Sequence, residues 1–63
     1  MFIVKASCFK RDLSGRLVGL AITHEYKAKT LKAALDEWRA ERENHDLVKF
    51  SPLLIYDVIN TLE

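Results

Sequence analysis

The sequence predicts a small α+β domain in which an antiparallel β-hairpin packs against one amphipathic helix. Two stretches alternate their side chains with a period of two, which is the pattern of half-buried strands, and a third repeats apolar residues at the helical period. The period changes at Lys29 and Thr30. We expect strands at about residues 2–10 and 16–27 and a helix at about residues 30–44, within a single domain spanning residues 1–63.

A turn between the two strands is predicted by residues 12–15. Asp12 stands at the first position and Gly15 at the fourth, as a type I turn followed by a left-handed residue requires. If Asp12 pairs with Arg16, the numbers of opposite residues sum to about 28, and the even positions of both strands form the buried face. The expected pairs are Phe2 with Tyr26, Ala6 with Ile22, Cys8 with Leu20 and Phe9 with Gly19.

The predicted helix has one apolar stripe. Leu31, Ala34, Leu35 and Trp38 are spaced at helical intervals, and Thr30 precedes them as N-cap. A helix this short gains most of its stability by burying such a stripe, so we expect it to lie on the even face of the hairpin. The expected core is Val4, Ala6, Leu20, Ile22, Leu31, Leu35 and Trp38.

The last segment admits two interpretations. Residues 47–50 predict a short third strand, and Ser51-Pro52 predicts the start of a C-terminal helix at residues 52–62, with an apolar stripe that ends at Leu62. The same segment is rich in strand-forming residues. The alternative is therefore a β-β-α-β order with a last strand at residues 53–59.

Composition excludes several classes of protein. A chain that is 49% hydrophobic and 30% charged is not disordered, and no apolar run approaches the roughly 20 residues that span a bilayer. Cys8 has no second cysteine to pair with, and residues 1–4 are not followed by a signal-peptide core. We expect a cytoplasmic protein with no membrane partner.

Charge is divided between the two halves of the chain. Residues 1–35 hold seven Lys or Arg against two acids, a net charge of +5, whereas residues 36–63 hold three against seven, a net charge of −4. The hairpin half is therefore basic and the helical half acidic, which bears on the partners that each half attracts.

Catalytic and metal-binding patterns are not evident. Cys8 is expected mid-strand on the apolar face, and strand alternation sends His24 and Glu25 to opposite faces. Cys8, His24 and His45 lack the spacing of metal ligands, and the two glycines form no phosphate-binding motif. We expect no catalytic residues, no metal and no cofactor, and hence a protein that is not an enzyme.

Two surfaces are candidates for binding. The first is the acidic face of the helix, formed by Asp36, Glu37, Glu41 and Glu43, which would suit a basic groove on a nucleic-acid-handling protein. The second is the hairpin, whose candidate residues for direct nucleic-acid binding are Lys5, Phe9, Lys10, Arg11 and Arg16. The odd face of the hairpin is too apolar to stay in water, so either the terminal segment covers it or it pairs two chains as a homodimer.

Residues 26–35, with a Thr-Leu-x-x-Ala-Leu junction after the hairpin, resemble the strand-to-helix junction of very small phage-encoded inhibitors. Among these are the T-odd phage inhibitor of bacterial RNA polymerase and anti-CRISPR proteins, and HicB-type antitoxins share the junction. The polymerase inhibitor ends in a strand that carries key arginines, whereas residues 52–63 contain none. The resemblance implies a stoichiometric, non-enzymatic blocker of a host complex.

These observations together predict a protein-binding inhibitor, encoded by a phage or another mobile element, that blocks a host nucleic-acid-handling complex such as a CRISPR effector or a polymerase. Nucleic acid is less favoured than a protein complex as the direct partner. The alternatives are a small module that binds RNA or single strands, and an antitoxin-like dimeric interaction protein.

Overall fold

The computed structural model describes residues 1–61. The elements are β1 (Phe2–Arg11), β2 (Leu17–Ala28), α1 (Leu31–Glu43) and β3 (Leu54–Asn60). The three strands form one antiparallel sheet in the order β2-β1-β3, and α1 packs against β1 and β2. The predicted α+β class is confirmed, in the β-β-α-β order that stood as the alternative. Within residues 1–61 there is no helix of the length and apolar character that crossing a membrane requires.

The predicted hairpin turn is confirmed. Asp12 N donates to Arg16 O at 2.8 Å and Gly15 N to Asp12 O at 3.0 Å, which closes the turn. Gly15 has φ +86°, a conformation that costs a residue with a Cβ about 1–2 kcal/mol. The Asp12 carboxylate accepts hydrogen bonds from Ser14 N at 2.9 Å and Arg16 N at 3.0 Å, so its charge is used to hold the turn.

The predicted register holds only beside the turn, where Arg11 pairs with Leu17. From Phe9 towards the start of β1 the register shifts by two residues, so that Phe9 lies opposite Ala21 and not Gly19. The reason is a bulge, because three residues of β2, 18–20, stand opposite Lys10 alone. The even positions still form the buried face, since a shift of two keeps every side chain on its side of the sheet. The observed pairs are Val4 with Tyr26, Ala6 with His24 and Cys8 with Ile22.

The predicted C-terminal helix at residues 52–62 is wrong. Leu54–Asn60 is a strand that pairs with the second edge of β1, and Leu62 and Glu63 lie outside the described residues. A strand here satisfies backbone groups along β1 as well as its own, and β-branched residues fit the pleated surface. That gain outweighs the local helix signal of Ser51-Pro52.

The predicted short strand at residues 47–50 is also wrong. Residues 47–49 form a turn, and of this segment only Phe50 makes a β-bridge, to Lys10. The Asp46 carboxylate accepts from Val48 N at 2.9 Å and Lys49 N at 3.2 Å, which curls the backbone back on itself. An aspartate whose carboxylate accepts hydrogen bonds from the backbone N–H groups of the residues that follow it favours a turn.

The predicted helix is confirmed within a residue at each end, and Thr30 caps it by accepting from Ala33 N at 3.2 Å. The buried core lies where α1 meets β1 and β2, with Leu35 and Trp38 packed against it as half-buried residues. Trp38 Nε1 donates to Leu53 O at 3.2 Å, which joins the helix to the segment before β3. The core residues are Val4, Ala6, Cys8, Tyr26, Ala34 and Leu53.

Three residues of the expected core are exposed. Leu20 is 82% exposed, Leu31 38% and Ile22 36%. The physical reason for Leu20 is length. A 13-residue helix is about 20 Å long, whereas the 12-residue β2 is about 40 Å long. Helix α1 starts beside the end of β2 and runs back along it, so it covers only about half of the strand.

Candidate binding surface

The part of the hairpin beyond the end of α1, residues 10–22, is here called the hairpin arm. Asn44 and His45, just after the helix, line a pocket that also includes Ile22, so the helix reaches this residue and no further. On the same side of the sheet Val18 is 44% exposed and Leu20 is 82% exposed. The hairpin arm therefore extends from the core with apolar side chains that no other described element covers.

The four acids predicted to form one helix face have different neighbours in the structure. Asp36, Glu37 and Glu43 are exposed, and Asp36 lies 4.0 Å from Arg39, which neutralises part of its charge. Glu41 is also exposed, but it differs in position, because its Oε1 lies 3.6 Å from His24 Nδ1 on β2. It therefore belongs to the helix–sheet junction. Three of the four predicted acids remain as an outward-facing set.

The residues of the predicted basic set also lie in different parts of the sheet. Lys10 and Arg16 are exposed on the hairpin arm, but Lys5 lies on the central strand, 3.7 Å from Glu25 and opposite Asp57 of β3. Lys5 is thus held between two acids within the sheet. It is not part of the basic cluster that the sequence predicted.

Arg11 and Phe9 are tied to the segment that follows the helix. The Arg11 guanidinium donates to Gly15 O at 3.1 Å and to Phe50 O at 3.4 Å, so it braces the turn with two of its donors. Phe9 N donates to the buried Ser51 Oγ at 2.7 Å, and the Phe9 side chain is 37% exposed. These two residues join the end of β1, at the base of the hairpin arm, to residues 50 and 51, and they also present side chains at the surface.

The odd face of the sheet is not covered by the terminal segment. That segment joins the sheet edge as β3, so Leu17, Ala21 and Thr23 remain exposed on β2, and Leu54 of β3 is 63% exposed. Of the two expected fates of this face, coverage within the chain is wrong. Pairing of two chains through it stays a prediction.

The sequence did not predict a pocket that lies between α1 and the sheet. Its lining includes Cys8, His24, Glu41 and His45. His45 Nε2 donates to Ser51 O at 2.7 Å, and the His24 ring stacks on Tyr26 with 6.4 Å between centroids. The signal was present in the helical spacing of Glu41 and His45, which continue the apolar stripe of α1 as polar residues.

Two titratable groups near this pocket, Tyr26 and Cys8, are held in their neutral forms. Burial raises the pKa of the Tyr26 hydroxyl far above its ordinary value, and the nearby Glu41 carboxylate raises it further. The Tyr26 hydroxyl is buried and has no hydrogen-bond partner in the described part of the chain. Burial, and then Glu41, likewise raises the pKa of the Cys8 thiol. A neutral buried thiol is a poor nucleophile and a poor metal ligand.

Over residues 1–61, no group of three or more His, Cys, Asp or Glu side chains is arranged to hold a metal ion. The hairpin arm carries the apolar side chains that stay exposed beyond the end of α1, among them Leu20 and Val18.

The chain matches no family model, and comparison with curated proteins and with solved structures finds no match either.

Proposed function

We propose that this protein is a non-enzymatic binding protein that acts by occupying a surface of a protein partner, with the hairpin arm as its main contact. The observation that carries the proposal is the exposure of apolar side chains on the hairpin arm, with Leu20 82% exposed at its centre. A stretch of seven residues, 17–23, contains no charge, although exposed edge strands are usually protected by charged residues.

The partner class that we propose is a host complex that handles nucleic acid, and the role is that of an inhibitor encoded by a phage or another mobile element in the bacterial cytoplasm. The support is the resemblance of residues 26–35 to phage inhibitors together with the outward-facing acids Asp36, Glu37 and Glu43. Carboxylates on a rigid helix can occupy positions in a basic groove that phosphates would otherwise take.

Capture from a bacterial lysate tests this proposal. The tagged protein is incubated with lysate in parallel with and without nuclease, and the retained proteins are identified by mass spectrometry. We expect one stoichiometric protein complex in both samples, and weaker capture by the triple variant D36K/E37K/E43K. The variant K27E/K29E/K32E changes three charges in the opposite direction and should retain the complex, since a basic groove on the partner tolerates added acidic charge. Absence of any nuclease-resistant complex would contradict the proposal.

Direct binding of RNA or single strands through the tip of the hairpin is the second candidate function. The observation in its favour is that Lys10 and Arg16 take part in none of the ion pairs among residues 1–61. It predicts that all partners are lost on nuclease treatment and that binding weakens steeply with salt.

A further inference from the structure

A groove runs between the hairpin arm and the turn that follows α1. Lys10, Arg11 and Val18 line it on the side of the hairpin arm, and Val48, Lys49 and Phe50 line it on the other. Its volume is about 930 Å³. The groove lies at the far end of the molecule from the beginning of α1, and its hairpin wall is the surface to which we assign binding.

Backbone hydrogen bonds hold the two walls of the groove together. Arg11 N donates to Lys49 O at 2.7 Å, and Ser51 N donates to Phe9 O at 2.8 Å. The Arg11 guanidinium adds a contact to Phe50 O at 3.4 Å. The groove is therefore formed before any ligand arrives, which lowers the entropic cost of binding.

The lips of the groove are aliphatic and exposed. Val48 is 84% exposed, Val18 is 44% exposed, and Leu13 at the hairpin turn is fully exposed. The Asp46 carboxylate fixes the turn that presents Val48, through its hydrogen bonds to Val48 N and Lys49 N. A ligand that fills this groove must supply apolar side chains.

The charge of the groove is positive. Lys10, Arg11 and Lys49 take part in none of the ion pairs among the described residues. One carboxylate, that of Asp12, also lines the groove, but it accepts hydrogen bonds from Ser14 and Arg16 within the turn. These hydrogen bonds lower the pKa of Asp12 and hold its charge in the turn. Three cations against one engaged acid attract a ligand of negative charge.

We propose that this groove binds an acidic segment of a protein partner in which aliphatic or aromatic side chains lie between Asp or Glu residues. A peptide fits better than a nucleic acid because the lips are aliphatic, whereas nucleic-acid bases stack on exposed aromatic faces. The ring of Phe50, an aromatic residue in the lining, is half-buried with His45 at 5.5 Å, and Arg11 is already bonded to two carbonyls. The inference rests on the proposed function, of which it names the kind of partner segment.

Panning of a displayed random twelve-residue peptide library against the immobilised protein tests the groove directly. We expect the enriched peptides to combine acidic residues with at least one large apolar residue. A synthetic peptide of the most enriched sequence should bind K10E/K49E about tenfold more weakly, or worse. It should bind the matched variant K29E/K32E, which has the same net charge, like wild type. V48S should weaken binding without changing the charge.

Three results would overturn the inference. They are enriched peptides that are no more acidic than the starting library, equal binding by K10E/K49E and wild type, and tighter binding of a single-stranded dT20 oligonucleotide than of any selected peptide. The panning result does not depend on lysate capture. If panning selects an acidic peptide but no complex is captured from lysate, the proposed function is contradicted and the inference about the groove holds. If a complex is captured but panning selects no acidic peptide, the inference about the groove is contradicted and the proposed function holds.

Discussion

The two ends of the hairpin differ in whether helix α1 covers them. Near the start of α1, Val4 and Ala6 are 0% exposed and Tyr26 is buried, because the helix rests on them. In the hairpin arm, Leu20 lies on the same side of the same sheet and is 82% exposed. Both ends alternate their side chains in the same way. Alternation therefore tells which face of a strand is apolar, and the length of the covering helix decides how much of that face is buried.

The buried core and the hairpin arm should differ most in what a lost side chain costs in stability. Leu53 is 0% exposed, so L53A should lower the free energy of unfolding by about 2–5 kcal/mol. L20A removes the same atoms from an exposed site and should change it by less than about 0.5 kcal/mol. Urea denaturation of both variants checks this. Equal losses would mean that the hairpin arm is covered in solution.

The junction between the two ends should give the next largest effect. Ser51 is 8% exposed and its hydroxyl accepts from Phe9 N at 2.7 Å, where the hairpin arm is fastened to the segment before β3. S51A leaves that N–H without its partner and should cost about 1–3 kcal/mol. The exposed S14A should cost less. Amide exchange at Phe9, followed by NMR, should be faster in S51A than in wild type. Unchanged exchange would contradict a stabilising role for this hydrogen bond.

Substitutions of the two glycines within the hairpin arm should differ in their effect on stability. Gly15 has φ +86°, so G15A should lower the free energy of unfolding by about 1–2 kcal/mol. Gly19 has no such φ, and a Cβ there would meet no atom within 4 Å, so G19A should be close to neutral. Thermal unfolding of the pair measures the difference. A more damaging G19A would show that the bulge at residues 18–20 needs a glycine.

The smallest effect concerns the covered end. The buried Tyr26 hydroxyl has no hydrogen-bond partner within residues 1–61, so Y26F should keep wild-type stability at neutral pH or gain up to about 1 kcal/mol. Because the folded-state pKa of Tyr26 is raised above its ordinary value of 10.0, the neutral hydroxyl is favoured in the folded protein. This contribution is fully present below pH 10.0 and is lost as the pH rises through the folded-state pKa.

Denaturation of wild type and Y26F at several pH values from neutral to above pH 10.0 measures that contribution. Wild type should lose stability relative to Y26F as the pH rises. A constant difference between the two would mean that the Tyr26 hydroxyl is accessible to water in the folded state.

Local chemistry made part of this fold predictable. The turn at Asp12 and Gly15, the cap at Thr30 and the stripe of α1 each depend on a few neighbouring residues, and the structure contains all three. The face of the sheet that is buried was predictable for the same reason, since alternation is a local property.

The remaining features depend on pairings that are distant in sequence. The bulge opposite Lys10 shifts the register by two residues, and the pattern of alternation is the same before and after such a shift. The last segment carries helix and strand signals together, and the free edge of β1 decides between them. The groove joins residues 10–18 to residues 48–50, so its lining could be identified only after the chain had folded.

Lysate capture with L20K tests whether the uncovered hairpin arm is the surface that binds a protein partner. The control is L54K, which makes the same change at another exposed leucine, in β3. We predict that both variants unfold within about 0.5 kcal/mol of wild type. We also predict that L20K loses the captured complex while L54K retains it. Capture of the complex by L20K at the wild-type level would contradict the account.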